Sequence, residues 1–274
     1  DLLDQAKITH VGGGTNLDEA KQPTYYIING IKIGFVTASE GEQYKFTPEA
    51  TDSTTGILTS YDTTEYNQVI ADASKECDYL IAYVHWGTED EDMYNSTQTE
   101  HGKEFLKSGA DIVIGGHPHV LQGIETYKGR NIVYSLGNFC FGGNSSPSDM
   151  DTMIYQQTFT IDADGVKKDN VTNIIPCSIS SAAYDGYNNY QPTPAEGDEA
   201  TRILGKINER SSWISTAEGS TFTAKYNSNN DSQSSSADTA ASDSDIVDMN
   251  SSASDDTDAE TYDESCDTDN SDAE

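Results

Sequence analysis

Apolar and polar residues along this chain switch between two periods, and each switch marks an element. Thr24–Ile28 and Ile31–Thr37 are β-rich runs separated by Asn29-Gly30, a pair suited to a tight hairpin turn because both central positions of that turn need positive φ. The spacing predicts two antiparallel strands. From Asp62 to Lys75, Tyr66, Val69, Ile70 and Ala73 recur at three- and four-residue steps, which puts them on one face of a helix. The run that follows Asp78, Tyr79-Leu80-Ile81-Ala82-Tyr83-Val84, lacks alternation and ends at His85, as expected of a strand covered on both faces. Thr97–Ser108 repeats the helical pattern with Phe105 and Leu106, and Gly109 ends it. Asp111-Ile112-Val113-Ile114 is then a second buried strand, running into Gly115-Gly116-His117-Pro118-His119. Strand, helix and strand on short connections imply a right-handed crossover and parallel pairing.

The flanks are less regular. Residues 1–6 read as the end of a helix, Ile8–Val11 as a short strand entering Gly12-Gly13-Gly14, and Thr15–Ala20 as a capped helix start with early acids. Such a glycine turn before a helix can cradle phosphate, but without GxGxxG or a Walker lysine a plain turn is the simpler reading. Ser39–Tyr61 is polar and turn-rich, a surface loop. Asn131–Ser135 is a third strand, leading into Leu136-Gly137-Asn138-Phe139. Met153–Ile161 alternates as an antiparallel neighbour, ends at the turn Asp162–Gly165, and is followed by a further strand near Val171–Ile179 and a closing helix near Thr201–Arg210.

Composition divides the chain in two. Only 34% of its 274 residues are hydrophobic, against roughly 45–50% in ordinary domains. After Lys225 no basic residue appears and Ser, Asp, Asn and Thr dominate. Such a stretch cannot bury enough apolar surface to offset its ordering entropy. Residues 227–274 are therefore expected to be a disordered acidic tail, and residues 1–226 one domain, incomplete at its N-terminus. A net charge of -32 speaks against nucleic acid as a partner, since phosphate backbones are bound by clustered Lys and Arg. It repels any polyanion unless a metal ion or a basic patch intervenes. Cys77, Cys140, Cys177 and Cys266 form no CxxC pair and read as core or loop thiols, which leaves the redox compartment open. No apolar run approaches the roughly 18–20 residues of a membrane span. The chain starts without Met inside a helix-like pattern, so upstream sequence is expected.

His117-Pro118-His119 carries the most chemistry. Proline disfavours helical geometry in the preceding residue, and in an extended chain residues i and i+2 share a face, so both imidazoles are expected to converge. His85 leaves the neighbouring long strand, and ligands of open α/β sheets gather beyond the carboxyl ends of parallel strands. Three histidines at two strand ends make a half-site for zinc, manganese or iron. Taken alone, His85 reads more readily as a hydrogen-bonded structural residue than as a metal ligand. His10 and His101 read as surface or capping histidines.

Three strings, Tyr83–Glu89 (YVHWGTE), Gly109–Gln122 (GADIVIGGHPHVLQ) and Tyr134–Phe139 (YSLGNF), are together similar to the bacterial capsule-synthesis CapA family, with a similarity running from about Asp1 to about Ile179. The resemblance implies an α/β fold, the C-terminal part of a metallophosphatase-like α/β/β/α sandwich with mixed sheets and two divalent metal ions (Mn, Zn or Fe) at the strand ends. It implies His85, His117 and His119 as metal ligands, with Glu89, Glu125 and Asn138 orienting ligands or substrate. Catalytic residues stay unassigned. The family's early Asp-, Glu- and Asn-Asn-His motifs have no counterpart here, so this chain is expected to hold metal weakly or with open coordination, and its own catalysis is in doubt. The function implied is poly-γ-glutamate capsule biosynthesis, as a metal-dependent hydrolase of phosphoesterase type or, alternatively, a non-catalytic surface module that binds or exports the polymer. The capsule polymer or its precursor and a membrane-bound synthesis complex are the implied partners, at the outer face of the bacterial membrane.

Overall fold

The computed structural model describes residues 2–40, 48–165, 167–183, 186–213, 219–226 and 247–248. In chain order the elements are α1 (Leu2–Gln5), β1 (Gly13–Gly14), α2 (Leu17–Ala20), β2 (Thr24–Ile28), β3 (Ile31–Ser39), β4 (Gly56–Ile57), α3 (Thr63–Ala73), β5 (Tyr79–His85), α4 (Ser96–Ser108), β6 (Ile112–Gly116), β7 (Ile124–Tyr127), β8 (Arg130–Val133), β9 (Asp151–Ile161), β10 (Lys167–Ser178), β11 (Thr193–Pro194), α5 (Gly197–Ser211), β12 (Gly219–Thr221) and β13 (Val247–Asp248). Six strands form a mixed sheet in the order β7-β8-β6-β5-β3-β2, extended at its edges by the short β12 and β13; β11, β10 and β9 form a second sheet.

Local chemistry explains most boundaries. Asn29 and Gly30 both take positive φ, 53° and 80°, and close the β2–β3 hairpin as expected. Asp62 caps α3 through Thr64 N at 3.0 Å, and Asn95 with Gln98 forms a capping box on α4. β3, β5 and β6 run parallel, with Ser39, His85 and Gly116 in register at their ends.

Each face of the sheet builds its own core. Toward α3 and α4, Val36, Ala38, Leu80, Ala82, Val84 and Val113 pack with Tyr66, Ile70, Phe105 and Leu106. On the other face, Ile114, Leu121, Ile124 and Val133 meet Met153 and Ile174 of the β9–β10 hairpin and Ile203 and Ile207 of α5.

Several expectations need correction. β5 is not covered on both faces: Leu80, Ala82 and Val84 are buried, but Tyr83 is 39% exposed and His85 is exposed too. The hairpin lies over the β6–β8 side and reaches β5 at Tyr79, whose ring stacks on Phe159 at 3.9 Å. Ile8–Val11 forms no strand; Gly13 and Gly14 pair with β4 instead. β7 escapes the periodicity because Glu125 and Thr126 interrupt its apolar run, yet Lys128 and Gly129, both at positive φ, turn it into β8. α5 begins four residues earlier than its apolar pattern, at Gly197. Of the acidic tail, Val247 and Asp248 pair with Ile27 and Tyr26; otherwise residues 227–274 lie outside the described residues. Cys77, Cys140 and Cys177 are free thiols, and Cys266 lies outside that set. Among the described residues no helix is long and apolar enough to cross a membrane.

Candidate metal centre

β5 and β6 finish side by side, so the last residue of one strand neighbours the exit of the other. The rings of His85 and His117 lie 4.5 Å apart between centroids, tilted by 50°, and those of His117 and His119 lie 6.1 Å apart. Convergence does not come from an extended His-Pro-His segment. β6 stops at Gly116, and His117 and His119 both take positive φ, 99° and 59°. Trp86 N donates to Gly116 C=O at 3.0 Å and Asp90 N to Pro118 C=O at 2.9 Å, which stitches the turn to the segment after His85. Residues held in such regions cost on the order of 1–3 kcal/mol each and persist where the surroundings over-determine them.

His119 is held most tightly. Asn138, 5% exposed, accepts from His119 Nδ1 at 2.6 Å and donates its amide to His119 C=O at 3.1 Å. The second bond sets the orientation of the amide, so the first requires the proton on Nδ1 and leaves the Nε2 lone pair free. Nε2 faces Glu89 Oε1 at 3.7 Å. One donor atom each from Glu89, His117 and His119 lies within 4.8 Å of the others. His85 joins this trio through its contact with the His117 ring. Although its imidazole keeps a side open to water, burial, and after it the like charges of His117 and His119, push its pKa down to about 4. His85 is thus a neutral imidazole near neutral pH, the form that ligates metal.

Glu125 is placed apart from this group. It pairs with Ile132, whose side chain joins the α3–α4 core, whereas His85 shares the opposite face with Ile81 and Tyr83. Fully buried, Glu125 accepts from Tyr134 Oη at 2.6 Å and pairs with Lys103 Nζ at 3.2 Å. His101 is likewise not a capping residue. Its Nδ1 lies 3.1 Å from Glu40 Oε1, and Glu40 also accepts from Gly87 N at 3.3 Å and donates its own N–H to His85 C=O at 2.8 Å. Glu40 and His101 brace the end of β5, and 61 residues of separation hide the pair from any local pattern. Two concavities of about 420 and 540 Å³ lie along α5 rather than at the histidines.

Glu89, His117 and His119 offer a carboxylate and two imidazoles that fit a divalent cation, one imidazole locked in its tautomer by a side-chain amide, while His85 lies against the His117 ring outside this trio of mutually close donor atoms. The family model for bacterial capsule synthesis protein PGA_cap matches residues 1–143. The PGA biosynthesis protein CapA of Bacillus subtilis (strain 168) is 36% identical over 132 residues, 48% of this chain and 34% of that protein. The capsule biosynthesis protein CapA of Bacillus anthracis is 32% identical over 140 residues, 50% of this chain and again 34% of the relative. The chain thus spans about a third of the length of these curated relatives.

Proposed function

This chain belongs to the bacterial capsule synthesis protein PGA_cap family, and from that membership we propose that it is a CapA-like protein of poly-γ-glutamate capsule biosynthesis, with a divalent metal held by His85, His117, His119 and Glu89. The observation that carries the reading is the meeting of Glu89, His117 and His119 donor atoms beside the neutral His85 imidazole, with Asn138 aiming His119. A metallophosphatase-type α/β/β/α sandwich is proposed for the whole protein; what supports it is the β9–β10 hairpin lying against the face of the six-stranded sheet opposite α3 and α4.

The reaction proposed for the whole protein is hydrolysis at a phosphoryl or amide carbonyl centre. Held by these residues, a divalent ion would supply the Lewis acidity that such a hydrolysis needs. This chain's own residues bind and orient. His85, His117 and His119 offer imidazole nitrogen donors, Glu89 adds a carboxylate, and Asn138 keeps the proton of His119 on the nitrogen away from Glu89. Zinc, manganese and iron would all suit this donor set, and a second ion would need ligands beyond these residues. A cation at this position also offsets the repulsion between a chain of net charge -32 and a polymer of carboxylates. The polymer or its precursor is the proposed partner, and the outer face of the cell membrane the proposed location.

Calorimetric titration with Zn²⁺ or Mn²⁺ tests the centre. The chain is expected to bind more than about 100-fold more tightly than its His85→Ala/His117→Ala/His119→Ala variant, since loss of a single ligand-orienting partner already costs about 10–100-fold. Equal affinity sinks the metal reading and leaves the non-catalytic polymer-binding module as its replacement.

A further inference from the structure

The segment that presents Glu89 poses an electrostatic problem. Glu89, Asp90, Glu91 and Asp92 are four successive acidic residues, and all four are exposed. Carboxylates so close repel one another and favour a splayed loop, yet Glu89 must stay within reach of His119. The structure answers with separate anchors along the run. Asp90 N donates to Pro118 C=O at 2.9 Å, and Asp90 Oδ1 accepts from Ser148 Oγ at 2.5 Å. Glu91 C=O accepts from Gln122 Nε2 at 2.8 Å. At the far end, Asp92 Oδ1 pairs with Arg210 Nη2 at 2.5 Å.

Arg210 is the unusual member. It is 7% exposed, a guanidinium withdrawn from water at the end of α5, and its other terminal nitrogen is engaged inside the fold. Nη1 donates to Leu121 C=O, two residues beyond His119, and lies 3.8 Å from Asp149 Oδ2. A buried, branched cation thus grips both segments of the site, the one that carries His119 and the one that carries Glu89. Its planar fork lets one side chain hold two partners at fixed separation.

We infer that Arg210 is a positioning residue of the metal centre, acting through Asp92 to keep Glu89 in range of His117 and His119. The inference rests on the metal reading above. It also recruits α5, which lies outside the residues matched by the family model.

The experiment is a double-mutant cycle on this chain, read as Zn²⁺ affinity by calorimetry. Its members are wild type, Asp92→Asn, Glu89→Gln and the double variant, with His117→Ala/His119→Ala as the reference for lost binding. Asp92 is exposed and Arg210 keeps Leu121 and Asp149, so Asp92→Asn should fold; urea melts of each variant verify it. Asp92→Asn is expected to bind on the order of tenfold more weakly than wild type. The double variant is expected to be no weaker than Glu89→Gln alone, because a residue that acts through Glu89 has nothing left to position. Asp92→Asn binding like wild type, or losses that add in the double variant, overturn the inference alone. Wild type binding no better than His117→Ala/His119→Ala overturns the metal reading and this inference with it.

Discussion

His119 is fastened at two points by one side chain. Asn138 accepts a hydrogen bond from Nδ1–H and donates one to the residue's own carbonyl, so the ring can neither spin nor change tautomer without losing a hydrogen bond. Asn138→Ala is therefore expected to weaken Zn²⁺ or Mn²⁺ binding on the order of 10–100-fold and to cost about 1–2 kcal/mol of stability from the orphaned partners, measured by calorimetry and urea unfolding. At this scale the histidines were legible in the sequence, because an HxH after paired glycines and a His ending an apolar strand are local patterns. The route by which they meet was not. His117 and His119 sit at positive φ, a geometry imposed by Trp86 and Asp90, which reach the turn from the neighbouring segment. Glu125 shows the opposite failure. It looked like a site residue from its neighbours in sequence, but the alternation of side chains along β7 turns it into the α-helical core.

Among the elements, α5 does more than close the fold. Arg202 pairs with both oxygens of Asp151 at 2.7 Å, and Lys206 contacts Asp149 and Asp151, so one helix face binds the entry to β9. Burial by itself raises the Asp151 pKa, but the hydrogen bonds and charges of Arg202 and Lys206 outweigh it and hold the carboxyl below its ordinary 3.8. A carboxyl lowered in the folded state contributes stability above its unfolded pKa and loses it as the pH falls through the folded one. Urea midpoints measured from pH 5 down to pH 2 are expected to fall steeply below about pH 4. In Asp151→Asn that decline should be shallower and the midpoint at neutral pH lower; an unchanged acid limb would show that the pair is not coupled to folding. The sequence predicts a closing helix near Thr201–Arg210. Its cations carried no such message, because Asp149 and Asp151 lie 51–57 residues away.

For the molecule as a whole, the two cores differ in where their residues come from. The α3–α4 core draws on positions from Ala20 to Tyr134, all within the family-matched stretch. The other core needs Met153, Ile174, Ile203 and Ile207 to cover Leu121, Ile124 and Val133. A fragment of residues 1–143 therefore leaves one face of the sheet bare, at about 1.5–3 kcal/mol for each large side chain uncovered. It is expected to bind the dye ANS strongly and to unfold at lower urea than the 274-residue chain, whereas equal midpoints would mean that the second core adds no stability. What could be read directly from the residues was local: the hairpin at Asn29-Gly30, the capped helices, the apolar strands and the imidazoles at their ends, since dihedral preference and side-chain period act within a few positions. Which face each residue occupies, that Glu40 braces His101 and the end of β5, and that a helix beginning at Gly197 grips the acidic loop of Glu89 were settled by packing. Contacts between residues dozens of positions apart depend on how sheets and helices stack, and no short-range pattern encodes them.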